Sequence, residues 1–83
     1  MAMIINMKMP DLATNEGAEL GIIRWIAEVG QKVTRGQPLL EVETDKAVQE
    51  VECIVTGVLQ SIAAPAGAKV SVGTIIATIK VGE

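Results

Sequence analysis

The chain has 83 residues, 49% of them hydrophobic, and a formal net charge of -3, which is enough for one small domain and not for two. It contains no histidine and a single cysteine, which excludes Ser-His-Asp and Cys-His catalysis, histidine-ligated zinc, an internal disulfide and a cysteine-only metal site. Phe and Tyr are absent and Trp25 is the only aromatic residue, so the core must be aliphatic; with the basic residues scattered along the chain, this argues against a nucleic-acid surface.

Residues 1–9 are apolar in places but too short and too interrupted for a signal peptide or a membrane span, and a first strand is expected over Ile4 to Met7. Further strands are expected at Gly21 to Ile26 and at Lys32 to Val33, separated by glycine turns. Period-two alternation then appears twice. Leu40 and Val42 alternate with Glu41 and Glu43, and Val51 and Cys53 alternate with Glu50 and Glu52, on either side of Thr44-Asp45-Lys46-Ala47. The reading is a hairpin with Lys46 at its tip, Asp45 and Lys46 being compatible with the centre of a type I turn. Leu59 to Ala63, Lys69 to Val70 and Ile75 to Lys80 complete the expected strands.

One internal repeat organises these elements. Gly30-x-Lys32-Val33-x-x-Gly36-x-x-Leu39-x-x-Val42 recurs as Gly67-x-Lys69-Val70-x-x-Gly73-x-x-Ile76-x-x-Ile79, at a constant offset of 37 residues. Gly21 and Ile26 match Gly57 and Ile62 at an offset of 36, as though one residue had been inserted. Two strand-turn-strand units, each unable to bury its apolar face alone, are expected to face each other as a flattened barrel or sandwich of two small antiparallel sheets with quasi-twofold symmetry. The fold class is therefore all-β, with Lys46 at the junction of the halves.

Lysine is a poor choice for a tight turn unless exposure is wanted. An ammonium in water is a weak nucleophile, so acylation of Lys46 would need an activated donor and an enzyme that reads the turn. A solvated turn lysine is the bland reading on charge alone. Trp25 is read as core packing or partial surface cover, Cys53 as a small buried hydrophobe, and the run Glu41, Glu43, Asp45, Glu50 and Glu52 as a solvated acidic face around the tip rather than a metal site.

Glu43-Thr44-Asp45-Lys46-Ala47 resembles the lipoylation motif of the acyltransferase components of 2-oxo acid dehydrogenase complexes. The frame Val29-Gly30-Gln31-Lys32-Val33-x-x-Gly36-x-x-Leu39 is similar to the first half of that family's domain, and Gly36 and Gly57 match glycines it places at turns on either side of the lysine. Nearly the whole chain is covered, so one carrier domain is expected over residues 1–83, with a globular part of about 3–80. The resemblance implies a non-catalytic swinging-arm module carrying lipoic acid as lipoamide on Lys46. A thiamine diphosphate-dependent decarboxylase would acylate it reductively, an acyltransferase core would take the acyl group to coenzyme A, and dihydrolipoamide dehydrogenase would reoxidise it. A lipoate ligase or lipoyl transferase would install the group, with Glu43, Thr44, Asp45 and Ala47 as recognition residues around it. The motif leans toward the pyruvate-like class. The loop from Asp11 to Glu19 is implied to lie near the lysine, although after Met9-Pro10-Asp11-Leu12 it departs from the family's small-polar pattern. The implied setting is a reducing compartment, bacterial cytoplasm or mitochondrial matrix, with a monomeric isolated domain, no membrane and no nucleic-acid partner.

Two rivals are carried forward. Met7-Lys8-Met9 spells the signature of biotin acceptors, which share the implied fold, but those place that lysine in the central hairpin, whereas Lys8 falls in the first strand. An unmodified barrel used as an adaptor is the other. A complete acyltransferase needs an active-site histidine and a far longer chain, so the sequence is at most its N-terminal carrier segment.

Overall fold

The computed structural model describes residues 2–12 and 19–82. Eight strands follow one another: β1 (Met3–Lys8), β2 (Leu20–Trp25), β3 (Lys32–Val33), β4 (Pro38–Glu43), β5 (Val48–Glu52), β6 (Gly57–Ile62), β7 (Lys69–Val70) and β8 (Ile75–Val81). They form two four-stranded antiparallel sheets, ordered β1-β8-β6-β3 and β5-β4-β2-β7. Each half of the chain lends its two-residue strand to the sheet built by the other half. Neither repeat can therefore close its own sheet.

The registers give the symmetry residue by residue. Gly21, Ile22, Arg24 and Trp25 of β2 oppose Glu43, Val42, Glu41 and Leu40 of β4, and Val58, Leu59, Ser61 and Ile62 of β6 oppose Lys80, Ile79, Thr78 and Ala77 of β8, every pair displaced by 37 residues. The expected one-residue insertion is thus incorrect. Aligning Gly21 with Gly57 matched glycine to glycine, whereas the ladders make Leu20 the mate of Gly57 and Gly21 the mate of Val58. The two edge strands also correspond, β1 against β8 repeating β5 against β4 at an offset of 44.

Each half carries the same bulges, which explain where the alternation fails. The ladder shifts between Pro38 and Leu40, so Leu39 and Leu40 both turn inward and are fully buried; their mates Ile76 and Ala77 do the same. The strands expected to end at Ile26 and Ala63 end before them, at Trp25 and Ile62. The next residues turn their backbone N–H groups to the bulged residues: Ile26 and Ala27 donate to Leu39 O, as Ala63 and Ala64 donate to Ile76 O. Tight turns of one kind join the short strands. Thr34 to Gln37 closes with Gln37 N–H donating to Thr34 O, and Gly36 in third position has φ +90°, the value that a type II turn reserves for glycine; Ser71 to Thr74 repeats it around Gly73.

The core between the sheets is aliphatic, as the composition requires: Met7, Met9, Leu20, Ile22, Val33, Leu39, Leu40, Val42, Val51, Leu59, Ile76 and Ile79 are buried, together with Cys53 and small alanines. No polar or charged side chain is buried among the described residues. Most of these are mates: Met7 with Val51, Met9 with Cys53, Ile22 with Leu59, Val42 with Ile79. Trp25 is half buried at the margin, and its indole Nε1–H donates to Ala64 O at 2.8 Å, fastening β2 to the other half.

Met7 and Lys8 of β1 and their mates Val51 and Glu52 of β5 line one cleft, so the inner ends of these strands meet at the pseudo-dyad. A six-residue strand is about 20 Å long, and the 39 Å long axis is the length of two such strands end to end. The turn between β4 and β5 therefore forms one pole. At the other pole lie the start of β1 and the end of β8.

Candidate functional site

Thr44 builds the turn that carries Lys46. Its hydroxyl accepts hydrogen bonds from the backbone N–H of Lys46 (3.2 Å) and of Ala47 (3.1 Å) and donates to Ala47 O (2.9 Å), while its own N–H also donates to Ala47 O (2.9 Å). The Ala47 N–H, which a hydrogen-bonded type I turn would give to Thr44 O, goes instead to the Thr44 hydroxyl, so the turn is closed through a side chain, as serine and threonine do at turns. The four-residue connection is held without glycine. Asp45, Lys46 and Ala47 are exposed and Thr44 is half buried, its hydroxyl engaged within the turn. The Lys46 ammonium has no hydrogen bond or ion pair among the described residues.

This turn is where the twofold fails. Among the described residues, each backbone hydrogen bond of the loops has a mate in the other half, such as Gly36 N–H to Cys53 O with Gly73 N–H to Met9 O, except Thr44 N–H to Ala47 O. The change of offset from 44 to 37 marks a second departure, since seven residues before Leu20 have no counterpart before Gly57. They belong to the expected partner-choice loop, Asp11 to Glu19, of which residues 13–18 lie outside the described residues. Glu19 is described, and it lies beside the turn.

Glu19, Gly21, Glu43, Thr44, Asp45 and Lys69 line a shallow groove of about 360 Å³ next to Lys46. Gly21 forms its floor: a Cβ built there meets nothing within 4 Å, and it sits in one ladder row between Glu43 and Lys69. Its mate Val58 fills the corresponding place at the other pole. Glu43, Thr44 and Asp45 were legible as site residues from the motif. Glu19, Gly21 and Lys69 were not, because only the pairing of β7 with β2 brings Lys69 to this pole.

The remaining singled-out residues fall away from the turn. Lys8 ends β1, exposed, between the buried Met7 and Met9, beside the inner end of β5 and away from the hairpin tip. Cys53 is buried with its thiol toward Val55 O at 2.8 Å. Gly36 lies in its tight turn, whereas Gly57 is the first residue of β6, where a Cβ would stand 2.3 Å from Lys80 O; close approach of two strands, not a left-handed φ, demands glycine there. The acidic residues of β4 and β5 form no metal-binding group among the described residues. Arg24 on β2 is ion-paired with Glu41. Among the described residues no helix is long and apolar enough to cross a membrane.

A two-sheet sandwich that holds one lysine out on a closed turn beside a shallow groove defines a carrier type of domain, which presents a side chain instead of enclosing a substrate. A family model described as biotin-requiring enzyme matches residues 5–79, and the chain belongs to this family of biotin- and lipoyl-attachment domains. It is 46% identical over 70 residues to the dihydrolipoyllysine-residue acetyltransferase component 2 of the mitochondrial pyruvate dehydrogenase complex of Arabidopsis thaliana, covering 83% of this chain and 13% of that protein. To the dihydrolipoyllysine-residue succinyltransferase component of the 2-oxoglutarate dehydrogenase complex of Bacillus subtilis it is 41% identical over 76 residues, 92% of this chain and 18% of that protein. The solution structure of the lipoyl domain of the 2-oxoglutarate dehydrogenase complex from Azotobacter vinelandii superposes with a TM-score of 0.76 at 28% identity, covering 95% of this chain and 99% of that one. These relatives are lipoyl-bearing acyltransferase components, so within the family the biotin-carrier alternative is not favoured, and the domain is a carrier segment rather than a catalytic one. The chain spans less than a fifth of the length of these curated relatives.

Proposed function

We propose that this domain carries lipoic acid in amide linkage to Lys46 and moves acyl groups and electrons among the centres of a 2-oxo acid dehydrogenase complex of the pyruvate-like class. The observation that carries the reading is the turn itself: its closing backbone hydrogen bond has no mate among the described residues, and it holds an exposed lysine with no ion pair among them. The residues fit the group, since an amide at the Lys46 Nζ displaces no hydrogen bond or ion pair among the described residues. Bound lipoic acid supplies a disulfide that can open to two thiols, one of which accepts an acyl group. The protein supplies direction and a recognisable surround. Thr44 fixes the turn, Glu43, Asp45 and Ala47 present its edges, Gly36 and Gly57 hold the flanking backbone, and amide formation takes the net charge from -3 to -4.

The partners in this reading are a thiamine diphosphate-dependent decarboxylase, an acyltransferase core, dihydrolipoamide dehydrogenase and a lipoate ligase or lipoyl transferase, in bacterial cytoplasm or mitochondrial matrix. The carrier unit is a monomer over about residues 3–80. The test is intact mass after incubation with lipoate ligase, lipoic acid and ATP, beside Lys46→Ala and a biotin ligase reaction. A lipoyl-sized gain on the parent alone is expected. No gain on a folded parent would favour the unmodified adaptor, and a biotin-sized gain the carboxylase carrier.

A further inference from the structure

Scatter of basic residues along the chain is not scatter in space. The strands of the sheet β1-β8-β6-β3 contain Lys8, Lys32 and Lys80 and no acidic residue, whereas those of β5-β4-β2-β7 contain Glu41, Glu43, Glu50 and Glu52 with Arg24 and Lys69. The pseudo-dyad relates the two faces and inverts their charge: Lys80 is the mate of Glu43, and Lys8 the mate of Glu52. On a chain of net charge -3, one face of the sandwich is thus wholly cationic in its strands.

Its side chains are ordered for contact. Lys32, Val58, Lys80 and Ile4 stand in one ladder row across β3, β6, β8 and β1, with Val58 and Ile4 exposed. Two strand spacings place Lys32 and Lys80 about 10 Å apart with an aliphatic side chain between them. The next row holds Asn6, Thr78 and Ser61, whose hydroxyls at 78 and 61 lie 2.6 Å apart, and beyond it are Lys8 and the exposed Ile75. None of the three lysines is in an ion pair among the described residues.

We infer that this face is a docking surface for an acidic protein partner, one that offers carboxylates about 10 Å apart astride an apolar contact. Three strand lysines, with Arg35 in the turn after β3 beside Lys8 but no aromatic platform, give a nucleic acid little to hold, and the interleaved Ile4, Val58 and Ile75 ask for an apolar counterpart that a phosphate backbone lacks. The Lys32–Lys80 row lies at the pole opposite Lys46, so a partner seated there leaves the turn free to be visited. The inference does not depend on lipoylation of Lys46.

The test follows backbone amide resonances of the full chain during titration with a synthetic peptide in which glutamates flank leucines, in low salt. Shifts are expected at Ile4, Lys32, Val58, Ile75 and Lys80 and not at Gly21, Glu43 or the turn. Lys32→Glu/Lys80→Glu should weaken binding about tenfold or more, with circular dichroism confirming the fold, while Lys32→Gln/Lys80→Gln should weaken it less and Lys46→Ala not at all. No shifts at millimolar peptide, or shifts confined to the acidic face, would overturn the proposal. So would tighter binding to duplex DNA or phosphatidylglycerol vesicles than to the peptide, which would assign the surface to those polyanions.

Discussion

The two poles of the molecule are built from the same strands and bulges, yet among the described residues only one of them carries a closed four-residue turn with a lysine held out on it beside an open groove. Gly21 leaves space between Glu43 and Lys69 where Val58 fills the space between Lys80 and Lys32. The fold is supplied twice and the site once. Residues that obey the twofold, such as Ile22 with Leu59 or Val42 with Ile79, are explained by packing, and the deviations from it are where a functional explanation is required. Quasi-symmetry serves here as an internal control: Glu43, Gly21 and Lys69 have mates in Lys80, Val58 and Lys32 that show what the scaffold alone needs.

Substitutions can break that comparison or sharpen it. The largest effect is expected at Lys46, where Lys46→Arg keeps the charge and should abolish lipoyl transfer by mass while thermal stability stays within about 0.5 kcal/mol, as for an exposed side chain; residual modification would mean that another lysine serves. Leu59→Ala and Ile22→Ala delete mated, fully buried side chains, and each should cost about 3 kcal/mol in urea unfolding. Markedly unequal losses would show that the two halves share geometry without sharing packing energy. Gly57→Ala drives a Cβ onto Lys80 O and should cost about 2 kcal/mol. At Gly21, on the other sheet, the outcome should reverse: Gly21→Val, which copies its mate into open space, should be neutral within about 0.5 kcal/mol and instead slow modification of Lys46 and transfer from a decarboxylase by filling the groove. An unchanged transfer rate would remove the groove from recognition. Smallest is Thr44→Val, expected to cost about 1 kcal/mol and to loosen amide protection at Lys46 and Ala47, with Thr44→Ser close to the parent; equal protection in all three would show that the strands alone hold the turn.

Much of the architecture was legible before any coordinates, because the signals are local. Glycine at the third position of a tight turn, as at Gly36 and Gly73, is written in the sequence by its backbone requirement, and alternation through Val42 and Val51 announces a half-buried strand pair. Lys46 at the tip followed from the motif between those strands. The errors arose where residue identity competed with register. Gly21 resembles Gly57 by type, but one is glycine beside open space and the other beside a carbonyl oxygen, and only strand pairing distinguishes them.

The sequence by itself determined an all-β chain with two similar halves, an aliphatic core and a presented lysine, since backbone preference, side-chain period and repeat offset act over a few residues. Tertiary structure alone decided what shares a surface with what. Exchange of β3 and β7 between the halves carries Lys69 to the Lys46 pole and gathers Lys8, Lys32 and Lys80 on one face, although they are far apart along the chain. The physical reason is that hydrogen-bonded register sets neighbours across strands, and register is fixed by burying the apolar faces of both halves together, a cooperative choice that no single segment encodes.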